Sequence, residues 1–123
     1  MEFERDKTFL TGRFKSVGFA LKGAIKLATT EHSVMVQSTI AILLIIAGFY
    51  FEISREEWMF QTLAIGLVLS VEGLNTAVEK TADFIHPEFH KKIGFIKDIA
   101  AGAVFFAAMT AIAIGCFIYI PKI

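Results

Sequence analysis

The chain is 123 residues long, enough for one domain, with twelve Lys and Arg balanced by twelve Asp and Glu. That neutral balance gives no basis for nucleic-acid binding, while the 55% apolar content and mean hydropathy of +0.63 are high for a soluble domain of this size. A soluble helical bundle is disfavoured because the run Ile99–Ile120 has no polar face, and so small a chain could scarcely bury it on all sides.

In chain order, residues 1–30 are charged throughout, and the first long apolar run has no small-residue cleavage pattern straight after it, so no cleavable signal peptide is expected. Phe14, Val17, Leu21, Ile25 and Ala28 repeat at helical spacing with Lys15, Lys22 and Lys26 on other faces. This pattern predicts an amphipathic surface helix over 1–30, serving as an anchor, as a lid, or as both. Ser33–Phe51 has nineteen residues without a charge and predicts a first transmembrane helix over 32–52. Ser54 and Glu57 fit a capping box opening a second span over 56–84, with Trp58 as an interfacial anchor. Trp58–Val71 holds fourteen uncharged residues, too few to cross alone, and reaches sufficient length only if the helix continues through Glu72 and Asn75. Pro87 marks the break after it, and the twenty-two uncharged residues Ile99–Ile120 predict a third span over 96–120, ended by Pro121. The expected fold is an all-α integral membrane domain with three transmembrane helices and an N-terminal amphipathic surface helix. Cys116, the only cysteine, cannot form an intrachain disulfide.

Lys and Arg in the short flanks set the expected orientation. Residues 1–31 hold Arg5, Lys7, Arg13, Lys15, Lys22 and Lys26, and the second connection holds Lys91, Lys92 and Lys97. The first connection holds only Arg55. The N-terminus and the second connection are therefore expected on the cytoplasmic side of a bacterial inner membrane, with Glu72–Asp83 at the cytoplasmic end of the second span.

Glu72, Asn75, Glu79 and Asp83 share an arc of about 80° at roughly 100° per residue. A solvated helix end accounts for Asp83 and Glu79 but explains Glu72 poorly, since Leu63–Val71 immediately before it is almost wholly apolar. Ionisable groups at membrane depth are expensive, about 2.5–3.5 kcal/mol on insertion scales, and normally face a bundle interior, a metal or a substrate. A hard cation such as Mg²⁺ takes one or two carboxylates plus phosphate oxygens, and a carboxylate partly shielded from water can serve as general base toward a hydroxyl. Asn75 can hydrogen-bond a phosphate or orient a carboxylate. Glu31, at the same expected level, could complete a metal site; Lys97 could neutralise phosphate charge or simply snorkel to the interface. No GxxxxGK[ST], GxGxxG or HExxH occurs, and His32, His86 and His90 lack metal-ligand spacing with cysteine. His90 is a better candidate for ligand contact than His86. Ala103, Ala107, Ala111 and Gly115 recur every four residues on the third span, a spacing that lets helices approach closely, and a homo-oligomer is expected because three spans shield a polar face poorly.

Val71-Glu72-Gly73-Leu74-Asn75-Thr76-Ala77-Val78-Glu79, then Asp83, then Lys97-Asp98-Ile99-Ala100-Ala101-Gly102-Ala103-Val104, resembles the small prokaryotic diacylglycerol kinase / undecaprenol kinase family. The resemblance covers nearly the whole chain, including Arg13, Gly23, Glu31 and Trp58. It implies a homotrimer that transfers the ATP γ-phosphoryl group to a hydroxyl of a membrane lipid, diacylglycerol or undecaprenol. By matching positions, Glu72 would be the general base, and Glu31 and Glu79 would hold Mg²⁺. Arg13, Phe19, Asn75, Asp83, Glu88, His90, Lys97 and Asp98 would form the nucleotide site, and Trp58 and Ala101 would contact lipid. One departure is Met35, which stands where the family commonly carries arginine and bears on lipid choice. The competing reading is a non-catalytic membrane protein whose acidic face binds cations or a partner helix.

Overall fold

The computed structural model describes residues 2–123, with side chains from Thr8 onward. Met1 of the expected surface helix, and the side chains of Arg5 and Lys7 counted in the orientation argument, lie outside the described residues. Four α-helices follow one another: α1 (Glu2–Thr30), α2 (His32–Tyr50), α3 (Arg55–Ile85) and α4 (Lys91–Tyr119), closed by a 3₁₀ turn at Ile120–Lys122 that contains Pro121. No strand occurs among the described residues. Helices α2, α3 and α4 are each long and apolar enough to cross a membrane.

Only Glu31 separates α1 from α2. Its backbone is extended, with φ −96° and ψ 120°, which interrupts the helical ladder for a single residue. The Glu31 N–H still reaches back to the Leu27 carbonyl at 3.3 Å, and its own carbonyl accepts from Met35 N–H at 2.9 Å. The α2–α3 turn is tighter. Phe51 N–H donates to the Ala47 carbonyl at 2.9 Å and Ile53 N–H to the Gly48 carbonyl at 3.1 Å, satisfying groups that a helix end leaves orphaned. Glu52 adopts φ 50°, the left-handed conformation that such a stop requires.

The expected capping box opens α3. Glu57 N–H donates to Ser54 Oγ at 3.1 Å, and Ser54 N–H donates to Glu57 Oε1 at 2.8 Å. Helix α4 begins at Lys91, five residues ahead of the expected 96, because the Nδ1 of His90 accepts from Lys92 N–H at 3.1 Å and caps the extra polar turn. Lys97 and Asp98 therefore sit on the second turn of α4 rather than at its first residues. At 1.5 Å per residue the 31 residues of α3 span about 46 Å, longer than a hydrocarbon core of about 30 Å. A helix of that length crosses such a layer either by tilting or with an end standing clear of it.

Packing is uneven. Helix α4 lies chiefly along α3, α2 touches α3 less, and among the described residues α1 meets the bundle near its last turns, where Leu27 approaches Gly73. Val34, Ala41, Ala64, Val68, Ala107 and Ile118 form the small buried core. Most large apolar side chains, among them Leu43, Phe49, Leu63, Phe106 and Phe117, point outward. That is the arrangement expected where the surrounding medium is hydrocarbon rather than water.

At the end of the bundle remote from Glu72, one polar knot joins all three spans. Gln61 is 3% exposed, and its Nε2 donates to the Leu44 carbonyl at 3.1 Å. The Tyr119 hydroxyl lies 2.6 Å from Gln61 Oε1 and 3.1 Å from that same carbonyl. Lys122 adds an ion pair to Glu57 at 3.2 Å. Tyr119→Phe is expected to lower unfolding free energy by about 1 kcal/mol, the scale of hydrogen bonds between membrane helices. An unfolding midpoint in detergent unchanged from the wild type would show that the knot adds nothing.

Candidate functional site

The polar face expected on α3 exists, but burial splits it along its length. Glu72 is buried at 7% exposure, and beside it Thr76 is also buried, its hydroxyl donating to the Glu72 carbonyl at 3.1 Å. That bond replaces a solvent partner for Thr76 and lets a polar residue sit among apolar neighbours. One turn further on, Asn75 is half-buried and its Nδ2 donates to Glu79 Oε1 at 3.2 Å, while Glu79 and Asp83 are exposed. Asn75 Oδ1 is buried without a hydrogen-bond partner, an orphaned oxygen beside a carboxylate. Such an atom is costly to leave unpaired, so it marks a place where a donor or a cation fits.

Two pockets flank this face. The larger, about 440 Å³, lies where the end of α1 meets α3 and is lined by Lys26, Thr30, Glu31, Thr76 and Lys80. Gly73 makes the approach possible, since a Cβ there would come 3.0 Å from Leu27 Cδ1. Glu31 Oε1 pairs with Lys80 Nζ at 3.5 Å, which sets it beside the residue following Glu79. The second pocket, about 290 Å³, lies between the end of α3, the connection and the start of α4. Asp83, Glu88, Lys97 and Asp98 line it, together with His86 and Phe89. Lys97 Nζ binds Asp83 Oδ1 at 2.6 Å, so the two residues expected from distant motifs meet in space.

His86 rather than His90 lines this second pocket. Its Nδ1 donates to the Glu88 carbonyl at 2.6 Å, shaping the loop, whereas His90 is spent on capping α4 and packs its ring 5.3 Å from that of His86. Arg13 and Phe19 lie on the exposed part of α1, where the Arg13 guanidinium sits 5.0 Å over the Phe9 ring. Trp58 is half-buried at the far end of α3, against Phe49 and Gly48, and Ala101 is exposed on α4 one turn beyond Lys97. Neither belongs to the two pockets.

Sequence reasoning passed over Lys80 and the packing role of Gly94, and met Phe89 only as the aromatic residue of the Glu88-Phe89-His90 stretch that the family resemblance places in the nucleotide-contacting loop. Lys80 follows Glu79 directly, and its spacing from the acidic face was the one available signal. Phe89 packs on Gly94, where a Cβ would approach the ring to 3.3 Å, a contact no linear pattern reveals.

Among the described residues no three His, Cys, Asp or Glu side chains converge on one point. The described residues therefore build no closed metal cage. Hard oxygens are present instead in two places: Glu79 with the orphaned Asn75 Oδ1 on one face of α3, and Glu31 beside Lys80, the residue that follows Glu79. Such oxygens fit a magnesium-like cation that draws its remaining ligands from phosphate and water.

The sequence pattern of the family described as prokaryotic diacylglycerol kinase matches residues 18–119. The undecaprenol kinase of Bacillus subtilis (strain 168) is 37% identical over 123 residues, covering all of both chains. The diacylglycerol kinase of Escherichia coli (strain K12) is 28% identical over 110 residues, 89% of each chain. That of Helicobacter pylori (strain ATCC 700392 / 26695) is 34% identical over 91 residues, 73% of this chain and 70% of its own. With a buried carboxylate on the second long apolar helix, Asp83 and Lys97 of the two motifs paired in space, and a match running through all three long apolar helices, the chain belongs to the prokaryotic diacylglycerol kinase family.

Proposed function

We propose that this protein is a membrane lipid kinase, transferring the γ-phosphoryl group of ATP to a hydroxyl of diacylglycerol or undecaprenol. The observation that carries the reading is Glu72, a carboxylate buried at the boundary between the apolar and polar parts of α3. The lipid hydroxyl approaches from the hydrocarbon side and the nucleotide from the aqueous side, so the carboxylate sits where the two substrates meet. Glu72 accepts the hydroxyl proton as the lipid oxygen attacks the γ-phosphorus, and the bond to the β-phosphate oxygen breaks. Phosphoryl transfer of this kind depends on positioning and charge neutralisation rather than on covalent chemistry by the protein.

Asp83, Glu88, Lys97 and Asp98 form the nucleotide pocket, with Lys97 exchanging its bond to Asp83 for phosphate oxygens. Asn75 orients Glu79, and His90 holds the loop by capping α4. Arg13 and Phe19 complete the nucleotide site from α1, and Trp58 and Ala101 contact the lipid tail. Glu31 and Glu79 would hold Mg²⁺, which when bound supplies neutralisation of the phosphate charge.

The assembly is a homotrimer in a bacterial inner membrane, with the N-terminus cytoplasmic and α1 an amphipathic helix on the membrane surface. Exposure of Phe14, Val17, Leu21 and Ile25 on α1 supports that placement, because a bare apolar stripe needs either lipid or a neighbouring subunit to cover it. The test is transfer of label from γ-labelled ATP to diacylglycerol and undecaprenol competing in one mixed micelle. Label is expected in at least one lipid, and the ratio identifies the preferred acceptor. No labelled lipid from either would return the chain to a non-catalytic role as a binder of cations or of a partner helix.

A further inference from the structure

Glu31 occupies the N-cap of α2, where Ser, Thr, Asp or Asn ordinarily accepts from the free N–H groups of the first turn and where the longer glutamate side chain is left free to turn elsewhere. It makes no such cap bond. Its carboxylate turns instead toward α3, where Lys80 Nζ lies 3.5 Å away. The two partners differ in freedom: the Lys80 side chain is 69% exposed and that of Glu31 27%. Leu27 packing on Gly73 fixes the distance between the helices that carry them. Both residues line the pocket between α1 and α3, which also holds Thr30 and Thr76.

We propose that Lys80 is a positioning residue, a resident counter-ion that holds the Glu31 carboxylate toward α3 until a divalent cation displaces it. This rests on the reading of Glu31 as a ligand of that cation. The chemistry suits such an exchange. A long, flexible, well-solvated ammonium pairs weakly and leaves readily, whereas a hard dication gains more from the same carboxylate oxygens. Lys80 therefore keeps Glu31 oriented in the empty state and competes for it in the loaded one.

The test uses purified, nucleotide-free full-length protein in detergent micelles, with Mn²⁺ as the probe and free Mn²⁺ read by electron paramagnetic resonance. Lys80→Met keeps the apolar stem and removes the charge, and is expected to tighten Mn²⁺ binding about two- to fivefold, the range of one weak ion pair. Lys80→Arg is expected to stay at the wild-type value. In a Glu31→Gln background Lys80→Met is expected to have no effect, which separates competition for one carboxylate from general repulsion. Unchanged affinity in Lys80→Met, or equal tightening in both backgrounds, overturns the inference while leaving Glu31 as a ligand. If Glu31→Gln by itself binds Mn²⁺ as the wild type does, the ligand reading falls and the counter-ion role falls with it.

Discussion

Glu72→Gln is expected to lower the rate of lipid phosphorylation about a hundred- to ten-thousandfold, the usual contribution of a positioned general base. The substitution preserves side-chain length and volume, so the packing around α3 has little reason to change. What it removes is the negatively charged proton acceptor. Glu72 is buried at 7% exposure, so bulk water has poor access to take over that role. Thr76, its nearest hydroxyl neighbour by hydrogen bond, is bonded to the Glu72 backbone carbonyl and gives no substitute base. Initial rates in mixed micelles, with helical content and thermal midpoint as controls, decide the matter. A folded Glu72→Gln protein working at near wild-type rate would strip Glu72 of the base role and leave charge neutralisation as the main source of catalysis.

The second large effect concerns stability. A Cβ at Gly48 would stand 2.6 Å and 2.8 Å from two ring carbons of Trp58, inside any tolerated contact. The Trp58 ring cannot simply withdraw, because it packs on Phe49 with ring centroids 4.9 Å apart and follows directly on the capping box of α3. Gly48 also supplies the carbonyl that receives Ile53 N–H in the α2–α3 turn. Gly48→Ala is therefore expected to destabilise the bundle by about 1–3 kcal/mol, the range for overpacking a close contact. Pairing it with Trp58→Leu should recover part of the loss, since the smaller side chain vacates the position. Equal unfolding midpoints for wild type and Gly48→Ala in the same detergent would mean that the turn absorbs the methyl group without strain.

Much of the architecture was legible in the linear chain. Nineteen and twenty-two uncharged residues in succession can be read only against the thickness of a bilayer, and a Ser54–Glu57 capping box announces a helix start wherever it falls. Glu72, Asn75, Glu79 and Asp83 could be put on one face from spacing alone, because side-chain direction along a helix repeats every 3.6 residues. The expected third span began at residue 96, whereas the helix that contains it begins at Lys91: Lys91 and Lys92 look like loop residues by hydropathy, yet charge costs little in a helical turn that faces water. Capping by His90 settled that boundary, and a histidine cap leaves no distinctive mark in sequence.

Local periodicity and hydropathy by themselves determined that this chain has three helices long and apolar enough to cross a membrane and carries acid groups at one end of the second. They did so because both depend on neighbours within a few turns. Pairings across helices were decided only by tertiary structure: Lys97 with Asp83 over fourteen residues, Tyr119 with Gln61 over fifty-eight, and Glu31 with Lys80. The depth of Glu72 relative to Glu79 was decided there too, since burial depends on what packs against a face and not on the face alone.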